Sequence, residues 1–148
     1  NGSKIDKKFK NVQWITSYGI NQEEEVKSIE YKINLLERLD GNFILISDYQ
    51  IFNSILELKD FSPVKYWHTG VSYPDITSHN RSNFEIFFKN KLINKNVKYI
   101  ILDDKASVFE ENIEDYKFLY ECLKMTKKTV QYNIKIYKLN IPCLRKFN

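Results

Sequence analysis

The sequence predicts an α/β domain, a three-layer sandwich around a largely parallel sheet of about five strands. Three observations predict it. Two short apolar runs, "FILIS" over Phe43–Ser47 and "VKYIIL" over Val97–Leu102, read as strands covered on both faces. Segments with apolar residues at helical spacing stand between such runs. With 148 residues, four Gly and three Pro, the chain is the size of one domain and has little linker material. Residues 1–11 are read as a flexible arm, 12–143 as a single α/β domain and 144–148 as a tail.

Taken in order, Asn11–Thr16 alternates Val12, Trp14 and Thr16 with more polar types, as a short strand does, and ends at the turn Ser17–Tyr18–Gly19. Val26, Ile29, Ile33 and Leu36 then follow at spacings of 3, 4 and 3, with Glu23, Glu24 and Glu25 leading and Arg38 trailing. That is an amphipathic helix whose charges suit its dipole, with Gly41 as a C′ residue. Phe43–Ser47 is the next strand, and Asp48 is placed to cap a helix carrying Ile51, Phe52, Ile55 and Leu56 on one face. "VKYW", Val64–Trp67, supplies a third strand. A helix over Arg81–Asn94 is expected to turn Phe84, Phe87, Phe88 and Leu92 to the core, and Asn96 closes it. Val97–Leu102 is the clearest buried strand. It and Phe43–Ser47 are expected to be central and parallel. A helix over Ile113–Leu123 and a last strand over Val130–Leu139 complete the alternation.

The net charge of +4 raises the question of nucleic acid. Residues 4–10 contribute +3 and Arg145 with Lys146 +2, so the intervening body sums to −1, and no nucleic-acid partner is expected. No apolar run reaches the roughly 18 to 20 residues that span a bilayer, and a start at Asn1–Gly2–Ser3–Lys4 reads as a piece of a longer chain.

In an open parallel sheet, the loops after the C-terminal strand ends share one edge, where ligands usually bind. Asp48, the loop "WHTGVSYPD" (Trp67–Asp75) and Asp103–Asp104 all follow predicted strands. The loop is longer than a strand-to-helix connection usually is, and Tyr73–Pro74 stiffens it. Trp67, His68, Tyr73 and Asp75 on it, with Asp48 and Asp103 beside it, are the candidate binding residues. Trp67 and Tyr73 offer flat faces to a sugar ring, and packing of the loop onto the sheet is the alternative. Asp48 is as well explained as a helix cap. His68, Asp75 and His79 match no familiar zinc spacing, and Ser72 and Ser78 lack a nucleophile-elbow context. Gly41 and Gly70 are isolated and begin no phosphate-binding motif. No catalytic residue, metal or cofactor is assigned. Cys122 and Cys143 are two unrelated thiols in a reducing compartment, whereas in an oxidising one they could pair, and the residues leave both open.

Several stretches together resemble a known family. "VQWIT", "FILISDYQIFNSIL", "DFSPVKYW", "SYP" and "NFEIFFKNKLINKNVKYIIL", with Cys122 and a second cysteine after the last strand, are similar to the C-terminal soluble domain of bacterial polytopic membrane glycosyltransferases of the C-fold (GT-C) class. The relatives include the protein mannosyltransferases and the lipid A aminoarabinose transferases. The resemblance implies an extracytoplasmic, periplasmic domain hanging from the membrane-embedded portion of its own parent chain. That parent would use a polyprenyl-phosphate sugar donor, with its catalytic carboxylate in the membrane portion. It further implies a non-catalytic role for this piece, in acceptor glycan or lipid-linked donor handling, and pairing of Cys122 with Cys143. Two other readings stand beside it: a free-standing small α/β enzyme with its site at Asp48, His68, Asp75 and Asp103, and a pure interaction module.

Overall fold

The computed structural model describes residues 7, 21–47, 52, 61–64, 67, 70, 72–103, 113–129, 132 and 134–147. These fall in two compact units, Asn1–Asp40 with Gln50–Lys59, and Gly41–Tyr49 with Asp60–Asn148. The strand expected over Asn11–Thr16 and the helix expected after Asp48, Phe52 excepted, lie outside the described residues.

The first unit contains helix α1, Gln22–Glu37. Asn21 starts it, accepting a hydrogen bond from the Glu23 N–H at 2.9 Å and so satisfying one of the free donors of the first turn. The four apolar positions of the sequence pattern, Val26, Ile29, Ile33 and Leu36, are its buried stripe. Phe52, also in this unit, is buried.

The second unit contains strand β1 (Asn42–Ile46), helix α2 (Arg81–Asn94), strand β2 (Val97–Leu102), a 3₁₀ turn (Ile113–Asp115), helix α3 (Lys117–Tyr120), strands β3 (Leu123–Lys128) and β4 (Lys135–Leu139), and helix α4 (Ile141–Leu144). The strands form one four-stranded sheet in the order β1-β2-β4-β3. It is an α/β structure, yet only β1 and β2 run parallel, and both other pairs are antiparallel. The expected largely parallel sheet is corrected by two features. Val64 and Trp67 are not in a strand, and Leu123–Lys128 is one. The predicted last strand, Val130–Leu139, is the second arm of a hairpin, of which β4 begins only at Lys135. β3 was missed because it is exposed from Lys124 to Lys128 and shows no apolar alternation, while Tyr116, Phe118, Leu119 and Cys122 before it suggest a longer helix than forms. β2 is interior as expected, but β1 ends the described sheet instead of lying at its centre.

Register explains the core. Ile44 faces Ile100 and Ile46 faces Leu102 across the parallel pair, so these four share one side of the sheet. With Leu139 they pack against Phe88 and Leu92 of α2, Tyr116, Phe118 and Leu119, and Leu144 of α4. Gly41, at φ +122°, turns the chain into β1, a conformation for which glycine is suited. It is not the C′ residue of α1, which ends at Glu37 with Arg38 as C-cap. Asn96, at φ 46°, closes α2 as the sequence suggests. Phe87, expected in the core, is half-exposed, because the buried face of α2 is Arg81, Phe88 and Leu92. Among the described residues no helix is long and apolar enough to cross a membrane.

Candidate functional site

The C-terminal ends of the parallel pair place two of the expected groups. The ladder runs one step past β2, where the Asp103 N–H donates to the Ile46 carbonyl at 3.0 Å. This sets the Asp103 side chain beside Ser47, whose hydroxyl donates to Asp103 Oδ2 at 2.7 Å. Asp103 is only 2% exposed, so its carboxylate is held inside the protein rather than presented at the edge. Asp48, Asp104 and His68 lie outside the described residues.

The loop before α2 is built from the inside. The Gly70 N–H donates to the Tyr73 carbonyl at 2.8 Å, closing a tight turn at Gly70 φ +73°. A Cβ there would meet nothing within 4 Å, so the backbone angle and not crowding favours glycine. Tyr73 is 2% exposed. Its ring stacks on Phe84 with centroids 6.3 Å apart, and Trp67 lies 5.7 Å from both Tyr73 and Phe88. Edge-on contacts continue from Phe88 to Tyr116 and Phe118. The aromatic residues of the loop therefore form the wall of the core, and Tyr73 offers no free face to a sugar ring.

Asp75 also turns inward on its own chain. Its Oδ1 accepts from the Thr77 N–H at 2.8 Å and the Thr77 hydroxyl at 2.7 Å, and its carbonyl accepts from the Ser78 N–H at 3.2 Å. The Thr77 hydroxyl and N–H hold the carboxyl below the ordinary range, helped by Ser78 and by the charge of Arg81. This is an Asx turn leading into α2.

The residue that organises this region, Arg81, was not singled out in the sequence. It is 8% exposed in the first turn of α2, at the positive end of the helix dipole, where a cation is not favoured. Its partners account for it. Nε donates to Glu85 Oε1 at 2.7 Å, Nη1 to the Pro74 carbonyl at 3.1 Å, and the guanidinium lies 3.5 Å from the centroid of the Tyr116 ring. Nη2 is buried with no hydrogen-bond partner among the described residues. Burial pushes the Tyr116 phenol far above its usual range, and the Arg81 charge opposes that only in part. The sequence signal that could have found Arg81 is a lone cation opening a helix directly after a Pro-Asp turn.

Cys122 and Cys143 form a disulfide, with Cα atoms 5.6 Å apart. Leu123 and Leu139 pair at the open end of the β3–β4 hairpin, and the disulfide joins Cys122, next to Leu123, to Cys143 in α4. The Asn140 N–H donates to the Cys122 carbonyl at 3.0 Å beside it. Asn140 also caps α4, accepting from the Cys143 N–H at 3.0 Å. Among the described residues no group of three or more His, Cys, Asp or Glu could hold a metal ion. Of the expected site residues, then, Trp67, Tyr73 and Asp75 come together as a packed and hydrogen-bonded loop, while Asp103 is buried with Ser47. Comparison of the chain with protein-family models, curated proteins and solved structures finds no match.

Proposed function

We propose that this is an accessory, non-catalytic extracytoplasmic domain of a bacterial membrane glycosyltransferase of the GT-C class, helping to handle the acceptor glycan or the polyprenyl-phosphate sugar donor. The observation that carries the extracytoplasmic part is the Cys122–Cys143 disulfide, because such bonds persist in oxidising compartments and are rare in reducing ones. The non-catalytic part is supported by the candidate groups themselves. Asp103 is buried, Asp75 is engaged by Thr77, and Tyr73 is enclosed by aromatic rings. The transferase part rests on the sequence resemblance. The same proposal includes the finer fold reading, a three-layer sandwich with about five strands.

The test uses the complete reading frame to which the chain belongs, expressed in a bacterial host with alkaline phosphatase fused after Asn148. Phosphatase activity is expected, together with no alkylatable thiol at Cys122 or Cys143 in intact cells. An inactive fusion with both thiols reduced would refute the placement. Loss of sugar transfer on deleting the domain, with transfer retained in Asp75→Asn, is the expected sign of an accessory role.

One observation favours the rival α/β enzyme. The Ser47–Asp103 pair lies at the C-terminal ends of parallel strands, the usual ligand edge of open α/β sheets. That reading requires Asp103 to meet a substrate, and a turnover by the purified domain that vanishes in Asp103→Asn would establish it instead.

A further inference from the structure

The four strands of the sheet contain six lysines and no Asp or Glu. Register divides them between the two faces, since cross-strand partners share a face. Tyr99 is opposite Lys138 and Lys138 opposite Lys124, so these three form one row across β2, β4 and β3. Lys127, opposite Ile136, stands in the next row on the same face. Met125, Lys128 and Lys135 are on the other face, that of Ile100 and Leu102. A bulge in β3 tightens the first group. The register shifts between Met125 and Lys127, and the Thr126 hydroxyl donates to the Ile136 carbonyl at 3.1 Å. In unbroken alternation Thr126 would face Ile136, and the next lysine on this face would be Lys128, about 13 Å along the strand from Lys124. The bulge sets Lys127 there instead, about 7 Å from Lys124. Lys124, Lys127 and Lys138 are exposed, Tyr99 is half-buried, and none of the three lysines forms an ion pair with a described residue. Lysines and a bulge on an edge strand discourage association with another strand, which accounts for β3. It does not account for Lys138, which is on the interior strand β4 and sets a like charge directly opposite Lys124.

We propose that this face of the hairpin binds a saccharide carrying carboxylate or phosphate groups. The inference rests on the glycan or sugar-donor handling proposed above and names the chemistry of that ligand. Ammonium groups at three neighbouring positions repel one another when alone and are neutralised together by a compact polyanion. The half-buried ring of Tyr99, next to Lys138 in the same row, supplies the flat apolar surface against which a sugar ring packs. Met125, the exposed apolar residue of the hairpin, lies on the opposite face, so this one offers charge without an apolar anchor for a bilayer. Its cations are all lysines and lack the planar fork that reads bases bidentately, which sets nucleic acid aside.

The test is titration of the isotope-labelled, disulfide-bonded chain with trigalacturonate and with glucose 1-phosphate, followed by amide chemical shifts, with maltotriose and inorganic phosphate as controls. Saturable shifts around Tyr99, Lys124, Lys127 and Lys138 are expected with at least one of the anionic sugars and not with maltotriose, weakening as salt is raised. A response to trigalacturonate assigns carboxylates to the ligand, and one to glucose 1-phosphate assigns a phosphate. Lys127→Gln/Lys138→Gln should weaken binding about twenty-five-fold, at roughly five-fold for each lysine, the upper range of an exposed ion pair. Lys128→Gln/Lys146→Gln removes the same charge away from this face and should change binding by less than about two-fold. Lys127→Arg/Lys138→Arg should retain it, which keeps the test decisive if the glutamine variant unfolds. No shift from either anionic sugar, equal losses from the two glutamine pairs, inorganic phosphate binding as tightly as the better sugar, or tighter binding of duplex DNA or of phosphatidylglycerol vesicles would overturn the inference. No binding beside an active phosphatase fusion would remove this inference and leave the proposed function standing, whereas binding beside an inactive fusion would remove the proposed placement and leave this site.

Discussion

Replacing both Cys122 and Cys143 by alanine opens the end of the β3–β4 hairpin that the disulfide closes. The bridge spans a sequence separation of 21, for which the chain-entropy model gives a stabilisation of about 3 kcal/mol at room temperature. Cys122 is 3% exposed, so loss of its sulfur adds a small cavity cost, on the order of 1 kcal/mol. The expected loss is therefore about 4 kcal/mol, a large part of the 5 to 15 kcal/mol typical of a domain. Urea denaturation followed by Trp67 fluorescence in a Trp14→Phe background reports on the second unit, to which Trp67 belongs. With a slope near 2 kcal/mol per molar, the midpoint should fall by about 2 M. Native-state hydrogen exchange should show protection lost first along β3, which is exposed over most of its length and, among the described residues, pairs only with β4. A midpoint shift below about 0.5 M would mean that strand pairing and the α4 cap hold the hairpin shut without the bridge, and would refute the entropic argument.

Two further outcomes follow from the loop before α2. Arg81→Ala removes a charge-assisted hydrogen bond to the Pro74 carbonyl and the cation over Tyr116, and should destabilise the second unit by about 3 to 4 kcal/mol. Arg81→Lys should not restore it, because one ammonium cannot reproduce the fork that reaches both Pro74 and Glu85. A loss below about 1 kcal/mol in urea would count against the organising role of Arg81. For Asp75 the folded carboxyl lies below its ordinary value, chiefly through Thr77, so its contribution is fully present above about pH 4 and is lost as pH falls through the lowered value. Thermal melts between neutral and acid pH should show Asp75→Asn losing less stability than wild type on that acid limb, and equal slopes would refute the assignment.

The apolar parts of this fold were legible because they repeat at a structural period. α1, β1, α2 and β2 each carry a buried stripe or run, and the bounds of β1, α2 and β2 lie within a residue of those read from sequence, while α1 ends before the expected Gly41 stop. What could not be read was β3, one strand of the four. Only Leu123 of its six residues is even half-buried, so it belongs to the sheet by backbone pairing rather than by side-chain burial. A sequence pattern registers burial and has no term for a polar strand paired at an edge. The same limit affected the site. Tyr73 and Asp75 look like ligand contacts because they are a large aromatic and a carboxylate in a loop. A loop that must cross an aromatic core and start a helix needs the same residue types for packing and for an Asx turn. Arg81 was passed over for the opposite reason, since a single arginine in a helix reads as solvated until Pro74 and Tyr116 are placed around it.

Charge was legible as a sum and misleading as one. Summed between its ends, the body appears nearly neutral, because the acids of α1 and of later loops cancel the lysines of the hairpin. The fold sets the lysines of the hairpin in opposed pairs, each of which works against the strand pairing by up to about 1 kcal/mol. Two such pairs on an edge hairpin offset much of what a short antiparallel pairing contributes. The disulfide lies where that weakness would first show, at the strand ends away from the turn, and its stabilisation of about 3 kcal/mol exceeds the repulsion of both pairs. A hairpin so charged holds its shape because it is cross-linked, and in a reducing compartment it would lose most of that margin.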